Sequence, residues 1–83
     1  MTYSTLIAHN YTSDRSSAES IAVGAALTAV RSGECQNMQV IWELDALEEM
    51  LAEGESDDEQ VAEREREVMV AWQRYQRACG VEA

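Results

Sequence analysis

Val40, Leu44, Leu47 and Leu51 recur at steps of four, three and four, the interval that lines apolar side chains along one face of an α-helix. Asp45, Glu49 and Glu53 step by four along nearly the opposite face, and Met38, Ala46 and Met50 form a second apolar stripe. This pattern predicts a helix over 37–53. Gly54 follows it, where a left-handed residue ends a helix without a Cβ clash.

Boundary signals mark two more helices. Ser16 and Glu19 have the S-x-x-E spacing of a capping box, and Gly33 stands where the next stop belongs, which predicts a helix over 16–32. Its middle, "IAVGAALTAV", is apolar or small all the way round, as in helices buried on more than one side. Ser20, Gly24 and Thr28 form a small ridge along it that would admit another backbone closely. Ser56 and Glu59 make a second capping box, and Gly80 a third stop, which predicts a helix over 57–79. Val61, Val68, Trp72, Tyr75 and Cys79 would line its buried face, with Glu59, Glu63 and Glu67 on its back.

The first twelve residues are rich in Thr, Tyr and Ile, which favours an extended arm. The expected fold is thus all-α: one domain over 1–83, a small three-helix bundle with an extended N-terminal arm. Its last two helices form an antiparallel hairpin tipped by "EGESDDE". The alternative is an α+β fold with short strands at 2–8 and 38–44. Eighty-three residues lie near the lower limit for a self-supporting core, and Phe is absent. A chain this size does not easily enclose an all-round apolar helix. A homodimer, or a unit awaiting its partner, is therefore expected.

Charge is distributed unevenly. The net charge is −10. Residues 43–67 hold twelve acids and two arginines, while the four acids and four arginines elsewhere cancel. The whole net charge lies on the hairpin. Such a balance disfavours nucleic acid or anionic membrane as a direct ligand and favours a basic protein surface. The N-terminus lacks a basic n-region and no apolar run approaches the length that spans a bilayer, so a cytoplasmic location with reduced thiols is expected. Cys35 and Cys79 are too far apart for a C-x-x-C motif, yet an up-down-up bundle would bring them to the same end, where a disulfide is conceivable.

Catalytic signatures are missing: there is no G-x-S-x-G, phosphate loop, H-E-x-x-H or dinucleotide fingerprint. "EGESDDE" lacks the order of an EF-hand loop, and His9 has no ligand at metal spacing. A non-enzyme without cofactor or metal is expected.

Two readings of the acids compete. The first is a solvated face: Asp57, Asp58 and Glu59 at a helix start, with Arg74 and Arg77 near its end, complement the macrodipole. That accounts for three or four acids, not twelve. Glu48, Glu49 and Glu53 lie near the C-terminal end of their helix, where negative charge is unfavourable, and like charges four apart repel. The second reading is imitation of a nucleic-acid backbone. Carboxylates four apart rise about 6 Å per step, comparable with successive phosphates, and could enter a groove lined by Lys and Arg. On this reading Asp45, Glu48, Glu49, Glu53, Glu55, Asp57, Asp58, Glu59, Glu63 and Glu67 bind the partner. Trp42 projects beside them. Burial as a second core contact is the expectation for so large an aromatic; exposed, it would anchor an electrostatically steered interface.

In size, acidity, lack of motifs and Ala/Glu/Arg-rich composition the chain resembles small phage-encoded anti-defence proteins, notably the anti-CRISPR proteins. The resemblance is one of general character over the whole chain and brings no residue roles with it. It implies a stoichiometric inhibitor that occludes a nucleic-acid-binding surface, with a CRISPR effector complex as partner and the host cytoplasm as location. The rival expectation is a small helical regulatory or structural subunit, antitoxin-like or a dimerising adaptor, that binds through its apolar faces.

Overall fold

The computed structural model describes residues 3–8 and 17–79. Four helices appear among them, and no strand: α1 (Ser4–Ala8), α2 (Ala18–Ser32), α3 (Met38–Glu53) and α4 (Asp58–Ala78). The all-α expectation holds. The strand alternative at 38–44 fails because Asn37 caps α3, its side chain accepting from Val40 N–H at 3.1 Å, and the apolar stripe then continues at helical spacing. Gly33 and Gly54 end α2 and α3 at φ of 86° and 69°, a conformation that costs glycine little.

Both predicted N-caps move by one residue, and only the one at α4 is a reciprocal capping box. Ser17 caps α2, accepting from Ser20 N–H at 3.1 Å; Ser16 lies outside the described residues. Asp57, not Ser56, caps α4. It accepts from Gln60 N–H at 2.8 Å, while the Gln60 side chain accepts from Asp57 N–H at 3.3 Å. Adjacent cap-forming residues leave the register open in sequence. A carboxylate wins at α4 because it accepts a charge-assisted bond and faces the positive end of the dipole. Cys79 closes α4, its N–H donating to the Tyr75 carbonyl at 3.0 Å; the predicted stop at Gly80 lies outside the described residues.

The N-terminal arm is the larger correction. Residues 4–8 form a turn of helix, not extended chain. The cause is Glu48 on α3, whose carboxylate accepts from Thr5 N–H at 3.2 Å and Leu6 N–H at 2.9 Å. Those are the donors a helix start leaves without an intrahelical partner. Leu6 is fully buried, and Tyr3, at φ 54°, is buried just before the turn. Its hydroxyl faces Asp45; burial first, then Asp45, then the charge of Glu48 push its pKa up to about 12.

Helix α4 packs against both α2 and α3, and α1 covers a flank of α3. Val23, Ala26 and Leu27 of α2, Val40, Leu44 and Leu47 of α3, and Val68 and Ala71 of α4 make the core with Leu6. Two expectations about its edges change. Cys79 is exposed and Ala71 is buried in its stead, while Val61, Trp72 and Tyr75 are half-buried. Helix α2 is covered on one side only: Ile21, Ala25 and Thr28 are exposed. The small ridge divides accordingly, with Ser20 buried and the Thr28 hydroxyl donating to its own helix at the Gly24 carbonyl (2.9 Å).

Candidate partner-binding surface

An ion pair between α3 and α4 joins the hairpin, Arg64 Nη1 to Glu43 Oε1 at 3.0 Å. Glu43 also accepts from Gln39 Nε2 at 2.9 Å. This contact lies beside the seam that Val40, Leu44, Leu47, Val68 and Ala71 make, and those apolar stripes set which acids are left outside. A second pair, Arg66 to Glu19 at 3.8 Å, is mostly exposed and contributes little.

The ten carboxylates singled out in the sequence separate into two groups. Asp45 and Glu48 turn towards α1 and are partly buried: Glu48 holds the start of α1, and Asp45 has one oxygen buried without a hydrogen-bond partner among the described residues. Neither belongs to an open surface. The unfavourable position of Glu48 near the end of α3 is explained by what it does for another helix. The other eight, Glu49, Glu53, Glu55, Asp57, Asp58, Glu59, Glu63 and Glu67, are exposed. Asp57 doubles as the α4 cap.

Trp42 overturns the expectation of a second core contact. It is 59% exposed, and Met38, one turn earlier on the same side of α3, is 65% exposed. The reason is angular: Val40, Leu44 and Leu47 turn to the core, and at 100° per residue Trp42 falls on the opposite side, together with Glu49 and Glu53. The outer ridge of α3 therefore reads Met38, Trp42, Glu49, Glu53 over about 22 Å. It is apolar at one end and acidic at the other, running into the acidic tip. The sequence stripe groups Met38 with Ala46 and Met50 instead; its four-residue spacing from Trp42 is the signal that points to the outer ridge.

Glu63 and Glu67 do not extend that ridge. They border a separate groove between α3 and α4, about 500 Å³, lined also by Met50, Ser56, Gln60 and Arg64. A third feature lies between α2 and α4: a groove of about 300 Å³ lined by Ala18, Ile21, Ala22, Ala25, Met69, Trp72, Gln73 and Gln76. No carboxylate lines it.

No group of three or more His, Cys, Asp or Glu residues that could hold a metal ion occurs among the described residues. No described helix is long and apolar enough to cross a membrane. Compared with protein families, curated proteins and solved structures, the chain matches none.

Proposed function

We propose that the protein is a stoichiometric inhibitor that docks its α3–α4 hairpin onto a basic, nucleic-acid-binding surface of a partner protein. The observation that carries this reading is the outer ridge of α3, where exposed Met38 and Trp42 continue into Glu49, Glu53 and the acidic tip. Large exposed aromatics are characteristic anchors of interfaces, where they bury much area for few rotatable bonds. Concentrated charge next to such an anchor steers a basic partner and displaces its counterions, as nucleic acid does. A CRISPR effector complex is the partner class suggested by the resemblance to anti-CRISPR proteins. No step of this action needs catalysis, a cofactor or a metal.

The test is a titration of purified RNA-guided effector complexes, with target-DNA binding followed by gel shift. Loss of DNA binding at about one protein per complex, with Trp42→Ala shifting the midpoint at least tenfold, is the expected result. Unimpaired DNA binding across representative complexes would refute that partner class.

A second reading has its own support. The α2–α4 groove is apolar and free of carboxylates, and Ile21 projects at its edge. In a chain of net charge −10 it is a face on which two copies meet with little repulsion, and a projecting side chain beside a hollow is self-complementary about a two-fold axis. This favours a dimerising subunit. Sedimentation equilibrium at tens of micromolar should then give a dimer that Ala25→Arg returns to monomer. A monomer throughout would eliminate this reading and leave the first intact.

A further inference from the structure

The end of the bundle remote from the acidic tip gathers two thiols around one phenol. Cys35 lies in the α2–α3 connection, 1% exposed, its N–H donating to the Ala29 carbonyl at 3.0 Å. Cys79 is exposed at the end of α4, one turn beyond Tyr75. The Tyr75 hydroxyl donates to the Glu34 carbonyl at 3.1 Å, on the peptide that leads into Cys35. Cys79 beside it, then burial, then Cys35 push its pKa above the ordinary phenol value. Cys79 follows Tyr75 by one helical turn and Cys35 follows the carbonyl that Tyr75 binds, so both thiols lie at this end of the bundle beside Tyr75, and both are free.

We propose that Cys35 and Cys79 form a thiol–disulfide exchange site, which closes an intramolecular disulfide when it meets a low-molecular-weight disulfide such as glutathione disulfide. The asymmetry in exposure assigns the order of events. The Cys79 thiolate attacks one sulfur of the small disulfide; a Cys79–glutathione bond forms and one glutathione thiolate leaves. The Cys35 sulfur then attacks the Cys79 sulfur; the Cys35–Cys79 bond forms and the second glutathione thiolate leaves. The two protons from the cysteine thiols end on the two released glutathiones. The protein is oxidised by two electrons and the small disulfide is reduced by two, so the exchange balances without a further reactant.

Disulfide geometry is demanding, and the last turn of a helix is the part of the fold most free to adjust to it. Cys79 occupies that turn. The resulting ring encloses the whole of α3 and α4, so the bond staples the open base of the acidic hairpin to the turn that precedes it. Closing so long a loop restricts the unfolded chain strongly, and a rise in Tm on the order of 10 °C follows.

The full chain is incubated with glutathione buffers of increasing oxidised fraction and followed by intact mass, thiol counting and non-reducing peptide mapping. The expected result is loss of both thiols, a mass decrease of two hydrogens, a linked Cys35–Cys79 peptide, and the Tm rise, all reversed by dithiothreitol. Cys35→Ser should stop at a mixed disulfide on Cys79, and Cys79→Ser should react far more slowly than wild type. The proposal is overturned if wild type stops at glutathionylated Cys79, if it links two chains through Cys79, or if the internal bond forms no faster in the folded protein than in urea.

Discussion

Glu48 and Glu49 are neighbours of the same chemistry with opposite duties. Glu48 accepts two backbone N–H groups at the start of α1, while Glu49 is exposed on the outer ridge. Glu48→Ala strands partly buried donors and should cost about 1–3 kcal/mol, whereas Glu49→Gln should stay within about 0.5 kcal/mol of wild type. Urea midpoints at constant m-value measure both. Tyr3 supplies a second prediction. Its hydroxyl is pushed up to about 12, against 10.0 for an ordinary phenol, so the folded state holds this proton more tightly than the unfolded chain. The associated stability is fully present below pH 10 and is lost as pH rises from 10 to 12. Tm should therefore fall across that window in wild type, and Tyr3→Phe should flatten the fall. Equal slopes in the two proteins would contradict the assignment.

Each long helix is defined by how it begins and ends, and the caps of α2 and α4 each lie one residue beyond the position the sequence suggests. Asp57 and Gln60 exchange reciprocal bonds, and Ser56 takes no part in them. Asp57→Ala should thus cost about 0.5–2 kcal/mol and Ser56→Ala only a few tenths, as read by chemical denaturation; the reverse order would restore the Ser56 box. The same logic separates α1 from the others. A five-residue helix has almost no intrinsic stability, and α1 persists through the carboxylate of Glu48 and the burial of Leu6. Helix α3 differs again: its apolar stripe runs at helical spacing from Val40 to Leu51, and packing decides which way its remaining faces turn.

Taken together, the four helices set the exposed acids beside Met38 and Trp42 on the hairpin and leave a second apolar surface between α2 and α4. Eight carboxylates are exposed along the α3–α4 hairpin, whereas the groove between α2 and α4 is uncharged. Replacing Glu49, Glu53, Glu63 and Glu67 with Gln removes four charges while keeping size and approximate helix propensity. Stability should hold or rise slightly, because repulsion between acids one turn apart is relieved. Association with a basic partner should slow markedly and its salt dependence should weaken, since steering is a long-range effect that salt screens. Stopped-flow or surface-based kinetics at two salt concentrations measure both. Glu49 and Glu53 lie on the outer ridge and Glu63 and Glu67 on the α3–α4 groove, so the two pairs tested separately would identify which face the partner covers. Unchanged kinetics and salt slope in the quartet would reduce all four to solvated surface.

Periodicity and punctuation settle α2, α3 and α4 to within two residues at their starts, because a 3.6-residue stripe and a φ-positive glycine are local properties of the chain. The concentration of acid between residues 43 and 67 was equally plain, being a matter of counting. Three features had no local signal. Residues 4–8 are helical because of a carboxylate more than forty positions away, and nothing in "STLIA" encodes it. Asp45 and Glu48 leave the acidic surface because α1 settles beside them, a consequence of packing. Trp42 lies outside because the three-helix core is complete on the other side of α3; once Val40, Leu44 and Leu47 are buried, no described helix covers its face. Local spacing fixes which residues share a helix face. Which of those faces meets another helix depends on contacts between segments far apart in the chain, and that difference separates Glu48 from Glu49.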